Sequence, residues 1–207
     1  MKNISAAILL ILIFPNISTA SEDGSGTYFG VAGGHTNYNA AFFASHYYIE
    51  DDTGFTLIKS FNENATGFKA YGGYQFNKIV AVEAAYTEYG EFKAKNYSQD
   101  PNSFSVYANL GYNFLNGQLR PFGMVGLGYL KSFQSHELLD QDFVTFHGGV
   151  GIEYSPTLFK GFGFRASIDW DLNTKFQNGV DDTNNQVDSI LFYQRYSLWS
   201  LAAQYKF

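Results

Sequence analysis

Glu83, Glu153 and Arg165 carry the most chemistry in this chain, because each lies in a separate stretch of alternating apolar and polar residues and each falls on the polar parity. Two carboxylates kept together away from water need a cation. A guanidinium, which grips a carboxylate through two parallel N–H bonds, is the obvious one. Lys69 shares the parity and is the cation a carboxylate would recruit if Arg165 were lost. Gln75, Asn109, Asn113, His147, Ser167, Asp169 and Gln204 lie on the same face, interleaved with Gly73, Gly111, Gly126, Gly128, Gly149 and Gly151. Large polar side chains set against glycines suit a tight interior in which groups pair with one another or with trapped water. Such an interior is a conduction path or a plug, and two glutamates in need of a partner favour the plug.

Other chemistry is thin, and no catalytic residue, metal site or cofactor is expected. His35, His46, His136 and His147 are too scattered for a metal site. Ser135, His136 and Glu137 imitate a hydrolytic set, but neighbours in a strand or loop diverge. The Gly123 to Gly128 cluster imitates a dinucleotide loop yet lies inside a strand with no helix to follow it. The acidic runs Glu50-Asp51-Asp52 and Asp181-Asp182 read as solvated loop surface, with divalent bridging to lipopolysaccharide as the sharper alternative.

The elements that position these residues are strands. About eight alternating segments lie at Tyr28 to Tyr38, Gly67 to Phe76, Ile79 to Phe92, Phe104 to Phe114, Arg120 to Phe133, Phe143 to Tyr154, Phe162 to Lys175 and Ile190 to Phe207. Each approaches the ~9 to 11 residues a tilted strand needs to cross a bilayer. The connections alternate in length. Asn77-Lys78, Leu115 to Gln118 (with Asn116-Gly117) and Ser155 to Gly161 are tight, whereas Asn39 to Thr66, Lys93 to Ser103, Gln134 to Asp142 and Phe176 to Ser189 are longer and polar. The fold class expected is all-β: an eight-stranded antiparallel up-and-down transmembrane barrel, with tight turns in the periplasm and long loops outside.

The face opposite the polar parity supports that reading. Phe68, Tyr74, Phe76, Val82, Tyr86, Val106, Leu110, Val125, Leu127, Val144, Val150, Ile152, Phe164 and Trp170 all lie on it, and no charge interrupts it. Phe76, Phe114, Tyr154 and Phe207 stand beside the tight turns, with Tyr86, Tyr129 and Trp170 toward the loops, as two aromatic girdles. The last strand ends with Leu201, Ala203, Tyr205 and Phe207 on this face, a pattern like the C-terminal signal that outer-membrane barrels present to their assembly machinery.

Met1-Lys2-Asn3, the apolar run Ile4 to Phe14 and Ser18-Thr19-Ala20 read as a signal peptide over residues 1–20, leaving the barrel domain at 21–207. The run is too short to span a bilayer as a helix, and the chain has no Cys for a lipid anchor or a disulfide. Aromatics at 19% of residues with a mean hydropathy of −0.17 fit strands whose two faces cancel in any average. Net charge is −6, and −7 once Lys2 leaves (−6 − 1), so nucleic acid is not an expected partner.

Asp52-Thr53-Gly54-Phe55, Gly72 to Asn77, Val80, Glu83, Tyr86 and Gly90, with Leu110-Gly111-Tyr112, Gly148 to Tyr154 and Arg165, resemble the barrel of outer membrane protein A and the related outer membrane protein X family. That resemblance implies an eight-stranded barrel whose lumen holds a glutamate-arginine pair able to gate a small pore. Glu83 and Arg165 match the pair, Glu153 the second glutamate. Two departures limit what the resemblance implies for switching: Asn109 stands where that family has a lysine able to take over a glutamate, and Met124 where a lumen arginine is expected. The chain stops where the barrel ends, and tethering to the cell wall is not expected.

The functional expectation is an integral outer-membrane scaffold that displays loops for envelope integrity, adhesion or host contact. A narrow ion pore is the alternative, and a lipid A-modifying barrel enzyme is the third class. Phe42, Phe43, Tyr47 and Tyr48 in the first loop form the expected recognition surface. Expected partners are outer-membrane lipids and lipopolysaccharide, the outer-membrane assembly machinery with periplasmic chaperones, and a host or surface ligand.

Overall fold

The computed structural model describes residues 24–47, 54–94, 97–134, 142–181 and 186–207, with side chains over 24–41, 62–93, 98–132, 142–174 and 192–207. Nine strands follow in chain order: β1 Gly26–Tyr47, β2 Gly54–Gln75, β3 Val80–Glu88, β4 Phe92–Ala94, β5 Tyr97–Gly111, β6 Leu119–Gln134, β7 Phe143–Tyr154, β8 Phe162–Asp181 and β9 Gln186–Lys206. All pairings are antiparallel, and β1 pairs with both β2 and β9, while β3 pairs with β2 and β5. The sheet therefore closes on itself, and no edge remains open through the body of the wall.

β3 and β4 are one stave, since both pair with β5, so the barrel has eight staves. The break falls at Gly90, whose φ of 79° only glycine adopts freely; a Cβ there would lie 2.2 Å from the Thr66 carbonyl oxygen. The tight turns also have local causes. Asn77 Oδ1 accepts from the backbone N–H of Ile79 at 2.8 Å and of Val80 at 2.9 Å, a side-chain mimic of a turn. Leu115, Asn116 and Gly117 all adopt positive φ (50°, 55° and 86°), and Phe114 and Leu119 bridge across them.

One expectation is corrected. The stretch expected as a long loop at 93–103 is mostly taken up by β4 and β5, and those at 39–66 and 176–189 are mostly strand as well: β1 and β2 each run 22 residues, β8 runs 20 and β9 runs 21. These strands are about twice the length needed to cross a bilayer. They form a four-stranded wall, in the order β2-β1-β9-β8, that rises above the shorter staves β3 to β7. The backbone ladder continues through these stretches although their sequence does not alternate cleanly.

The faces follow the alternation. Val82, Val106, Leu110, Val125, Phe146 and Phe164 are 43–54% exposed, a fully apolar outer surface that only lipid or another apolar phase would cover. Aromatic pairs two residues apart ring the short-turn rim: Tyr74–Phe76 at 5.1 Å, Tyr112–Phe114 at 5.0 Å and Tyr205–Phe207 at 4.9 Å between centroids. Phe207 also meets Phe29 at 5.8 Å, and its N–H donates to the Thr27 carbonyl at 3.0 Å.

Candidate functional site

The lumen is filled by stacked layers of paired side chains. Lowest, toward the short-turn rim, β6 and β7 place Arg120 opposite Glu153, and β7 and β8 place Glu153 opposite Arg165. Arg120 Nη1 donates to Glu153 Oε2 at 3.2 Å, and Arg120 Nη2 to the Ile79 carbonyl at 3.1 Å. Arg165 grips Glu83 with both arms, Nη1 to Oε2 at 2.8 Å and Nη2 to Oε1 at 2.9 Å, and Nη2 also donates to Glu153 Oε1. Glu83 accepts three further bonds, from Tyr28 at 2.6 Å, Tyr107 at 2.9 Å and Asn109 at 2.5 Å.

Aromatic rings hold that guanidinium in place. Arg165 lies 4.3 Å from the Tyr71 ring centroid and 4.7 Å from that of Phe122, so it is stacked on two faces as well as hydrogen-bonded. Glycine makes the room: a Cβ on Gly73 would approach Glu83 Cγ to 2.9 Å, and one on Gly126 would lie 2.4 Å from Tyr107 Cβ.

A second layer pairs Lys69 Nζ with Asp169 Oδ2 at 2.5 Å. Lys69, the cation a glutamate would recruit if Arg165 were lost, pairs here with the aspartate, in the layer above the glutamates. Above it, His147 Nδ1 lies 2.9 Å from Asp171 Oδ1, and Asp171 also accepts from Tyr89 at 2.7 Å and Thr145 at 3.2 Å. His147 stacks on Tyr107 at 4.6 Å, which joins this layer to the glutamate layer. The buried charges are therefore Lys69, Arg120 and Arg165 against Glu83, Glu153, Asp169 and Asp171, with His147 beside the fourth carboxylate.

The uppermost layer is apolar. Tyr38, Tyr89, Phe92, Tyr196, Leu130, Leu198 and Phe143 form one buried cluster, with Tyr38 stacked on Tyr196 at 4.7 Å. At the other end a cavity of about 430 Å³ opens at the short-turn rim; its lining includes Gln75, Lys206, Arg120, Glu153 and Tyr28. It stops at the first ion pair.

Arg120, Asp171, Tyr28, Tyr71 and Tyr107 belong to these layers although the reading of the sequence did not single them out. Extending the β6 alternation by two residues from Phe122, and the β8 alternation by two from Asp169, finds the first two; tyrosines read as lipid-facing by type, and only parity separates them. Of the residues expected to signal assembly, Leu201, Ala203 and Tyr205 lie on the outward parity of β9, and Phe207 follows its last residue. Phe42, Phe43 and Tyr47 fall in upper β1, where the backbone but not the side chains is described; Tyr48, residues 1–20 and Ser135, His136 and Glu137 lie outside the described residues.

A family model described as the outer membrane protein beta-barrel domain matches residues 5–207. No curated protein sequence matches the chain. Among solved structures, AlkL in lipid bilayers is similar at 14% identity, with 92% of this chain and 94% of that one covered and a TM-score of 0.54. Neisserial surface protein A aligns at 15% identity over 85% and 99% of the two chains, TM-score 0.49. The Ail attachment invasion locus protein of Yersinia pestis aligns at 17% identity over 84% and 99%, TM-score 0.39. At these identities the likeness is one of fold.

Proposed function

The chain belongs to the outer membrane protein β-barrel domain family, and on that premise we propose that it is a plugged barrel acting as a membrane-embedded scaffold. The scaffold displays the tall β2-β1-β9-β8 wall outside the cell for envelope integrity, adhesion or host contact. The observation that carries this reading is the filled lumen. Among the described residues, ion pairs, a histidine–aspartate pair and an aromatic cluster follow one another up the lumen, which supports a path that a hydrated ion would enter only by breaking buried pairs.

In the same reading, residues 1–20 are the export signal and are removed. Leu201, Ala203, Tyr205 and Phe207 are what the assembly machinery reads after periplasmic chaperones deliver the chain. Outer-membrane lipids and lipopolysaccharide surround the apolar wall, and the upper part of β1 with Phe42, Phe43, Tyr47 and Tyr48 forms the recognition surface.

Replacing residues 42–59 and 176–190 by two tight turns tests the scaffold role. The shortened protein should still reach the outer membrane in a heat-modifiable, folded form. Cells that carry it should lose adhesion to epithelial monolayers, or resistance to detergent, relative to cells with the full protein. Equal behaviour of full and shortened forms in both assays would count against the tall wall as the working part.

A further inference from the structure

On three strands of the tall wall, β2, β1 and β9, the outward face changes character over a short height, while β8 keeps Trp170 and Leu172 beside Ser197 and Arg195. β1 turns Phe29 and Val31 outward at 52% and 48% exposed, then His35, Asn37 and Asn39. β2 goes from Phe68 to Thr66, Asn64 and Asn62, and β9 from Leu201 to Trp199, Ser197 and Arg195. The register aligns these in rows: Thr66–His35–Trp199, then Asn64–Asn37–Ser197, then Asn62–Asn39–Arg195. A continuous polar patch thus sits directly on top of the apolar surface, with Trp199 at its lower border.

The amides are fixed in one arrangement. Asn37 Nδ2 donates to Asn62 Oδ1 at 2.6 Å and Asn64 Oδ1 at 2.8 Å, Asn39 Nδ2 donates to Asn37 Oδ1, and Ser197 Oγ donates to the Asn37 carbonyl at 3.2 Å. Asn62 and Asn64 use their carbonyl oxygens in these bonds and are themselves exposed, which leaves their NH2 groups to donate to a ligand, and Arg195 is exposed in the next strand but one. Elsewhere around the rim the outward polar groups include carboxylates: Glu88 accepts from Tyr86 at 3.2 Å, and Asp142 accepts from Tyr129 at 2.8 Å and lies 4.0 Å from Lys131. A donor-rich, cationic patch among acidic neighbours is where an anion settles.

We infer that this patch is a headgroup site for the outer-leaflet glycolipid, lipopolysaccharide. Its height fixes the occupant: a molecule whose acyl chains lie on Phe29, Val31 and Leu201 places its sugars and phosphates against the next rows of side chains. The Asn62 and Asn64 amides donate to sugar hydroxyls or phosphate oxygens, and Arg195 takes a phosphate through charge-assisted bonds. The inference rests on the membrane reading of the barrel given above.

The test uses the chain from residue 21 refolded into phosphatidylcholine vesicles and nanodiscs, with bound lipopolysaccharide counted by native mass spectrometry. Wild-type barrel should retain lipopolysaccharide in preference to phosphatidylglycerol. Arg195→Gln should weaken that retention about tenfold. Asn62→Ala with Asn64→Ala should weaken it similarly, while Lys131→Ala elsewhere on the rim leaves it unchanged. With dephosphorylated lipopolysaccharide the Arg195 effect should vanish and the asparagine effect persist. Equal retention of phosphatidylglycerol, or an equal loss from Lys131→Ala, would overturn the site, leaving the amides as wall stiffeners. If the asparagine variant fails to fold, Arg195→Gln, on an exposed side chain, carries the test alone. A chain that never inserts would refute the membrane reading, whereas an inserted barrel with no preference would refute only the headgroup site.

Discussion

At the scale of residues, the Glu83–Arg165 pair decides the character of the lumen. Glu83 is fully buried and accepts five hydrogen bonds, two of them from one guanidinium. Arg165→Ala leaves Glu83 with neutral donors and Glu153 with Arg120 alone, so we expect a loss of about 3 to 5 kcal/mol. Glu83→Ala with Arg165→Ala should cost less than the sum of the two single changes, because neither member is then stranded. Urea unfolding in lipid vesicles measures that cycle, and strict additivity would show that the two side chains do not interact. The pairing was legible in the sequence because parity put the charges on one side of a sheet too narrow for water-filled space. Their stacking order was not. Whether Lys69 meets a glutamate or Asp169 depends on the register between distant strands, which parity leaves free.

At the scale of elements, each strand must be apolar outward and polar inward without a slip. Leu110 is 47% exposed on β5 and Val82 43% exposed on β3, both among apolar neighbours. Leu110→Arg or Val82→Arg should destabilise the folded barrel by about 2 to 4 kcal/mol near the bilayer midplane, measured by the same unfolding in vesicles. A neutral result would mean that this face does not meet lipid. The last strand makes a separate claim: removing Phe207 takes away its contacts with Phe29 and Tyr205, and should impair outer-membrane assembly while export continues. Normal amounts of heat-modifiable protein in the outer membrane of that mutant would refute it. Element lengths were the least legible feature. Strands with one apolar and one polar face declare themselves by alternation, whereas the sequence of the upper parts of β1, β2, β8 and β9 no longer alternates, as at Phe42-Phe43 and Leu57-Ile58. The amide ladder among Asn37, Asn62 and Asn64 is invisible for the same reason, since asparagines in such a stretch read as loop until the register brings them together.

At the scale of the whole molecule, closure of the sheet and filling of its interior are one design. Eight staves enclose a narrow space, and the buried charged side chains described there meet an oppositely charged or histidine partner between the rim cavity and the aromatic layer. In the proposed role the tall wall extends from this filled base and makes its contacts outside the membrane. The reading that a barrel of this width with glutamates and an arginine inside is a plug came from charge pairing, and it makes a demand on the intact protein that no single substitution does. Planar-bilayer recording of the refolded barrel at neutral pH tests that demand most directly. The wild type should show no steady conductance, with opening events once Arg165→Ala removes the central cation; a wild-type barrel that passes ions steadily with Glu83, Glu153 and Arg165 in place would contradict the plug.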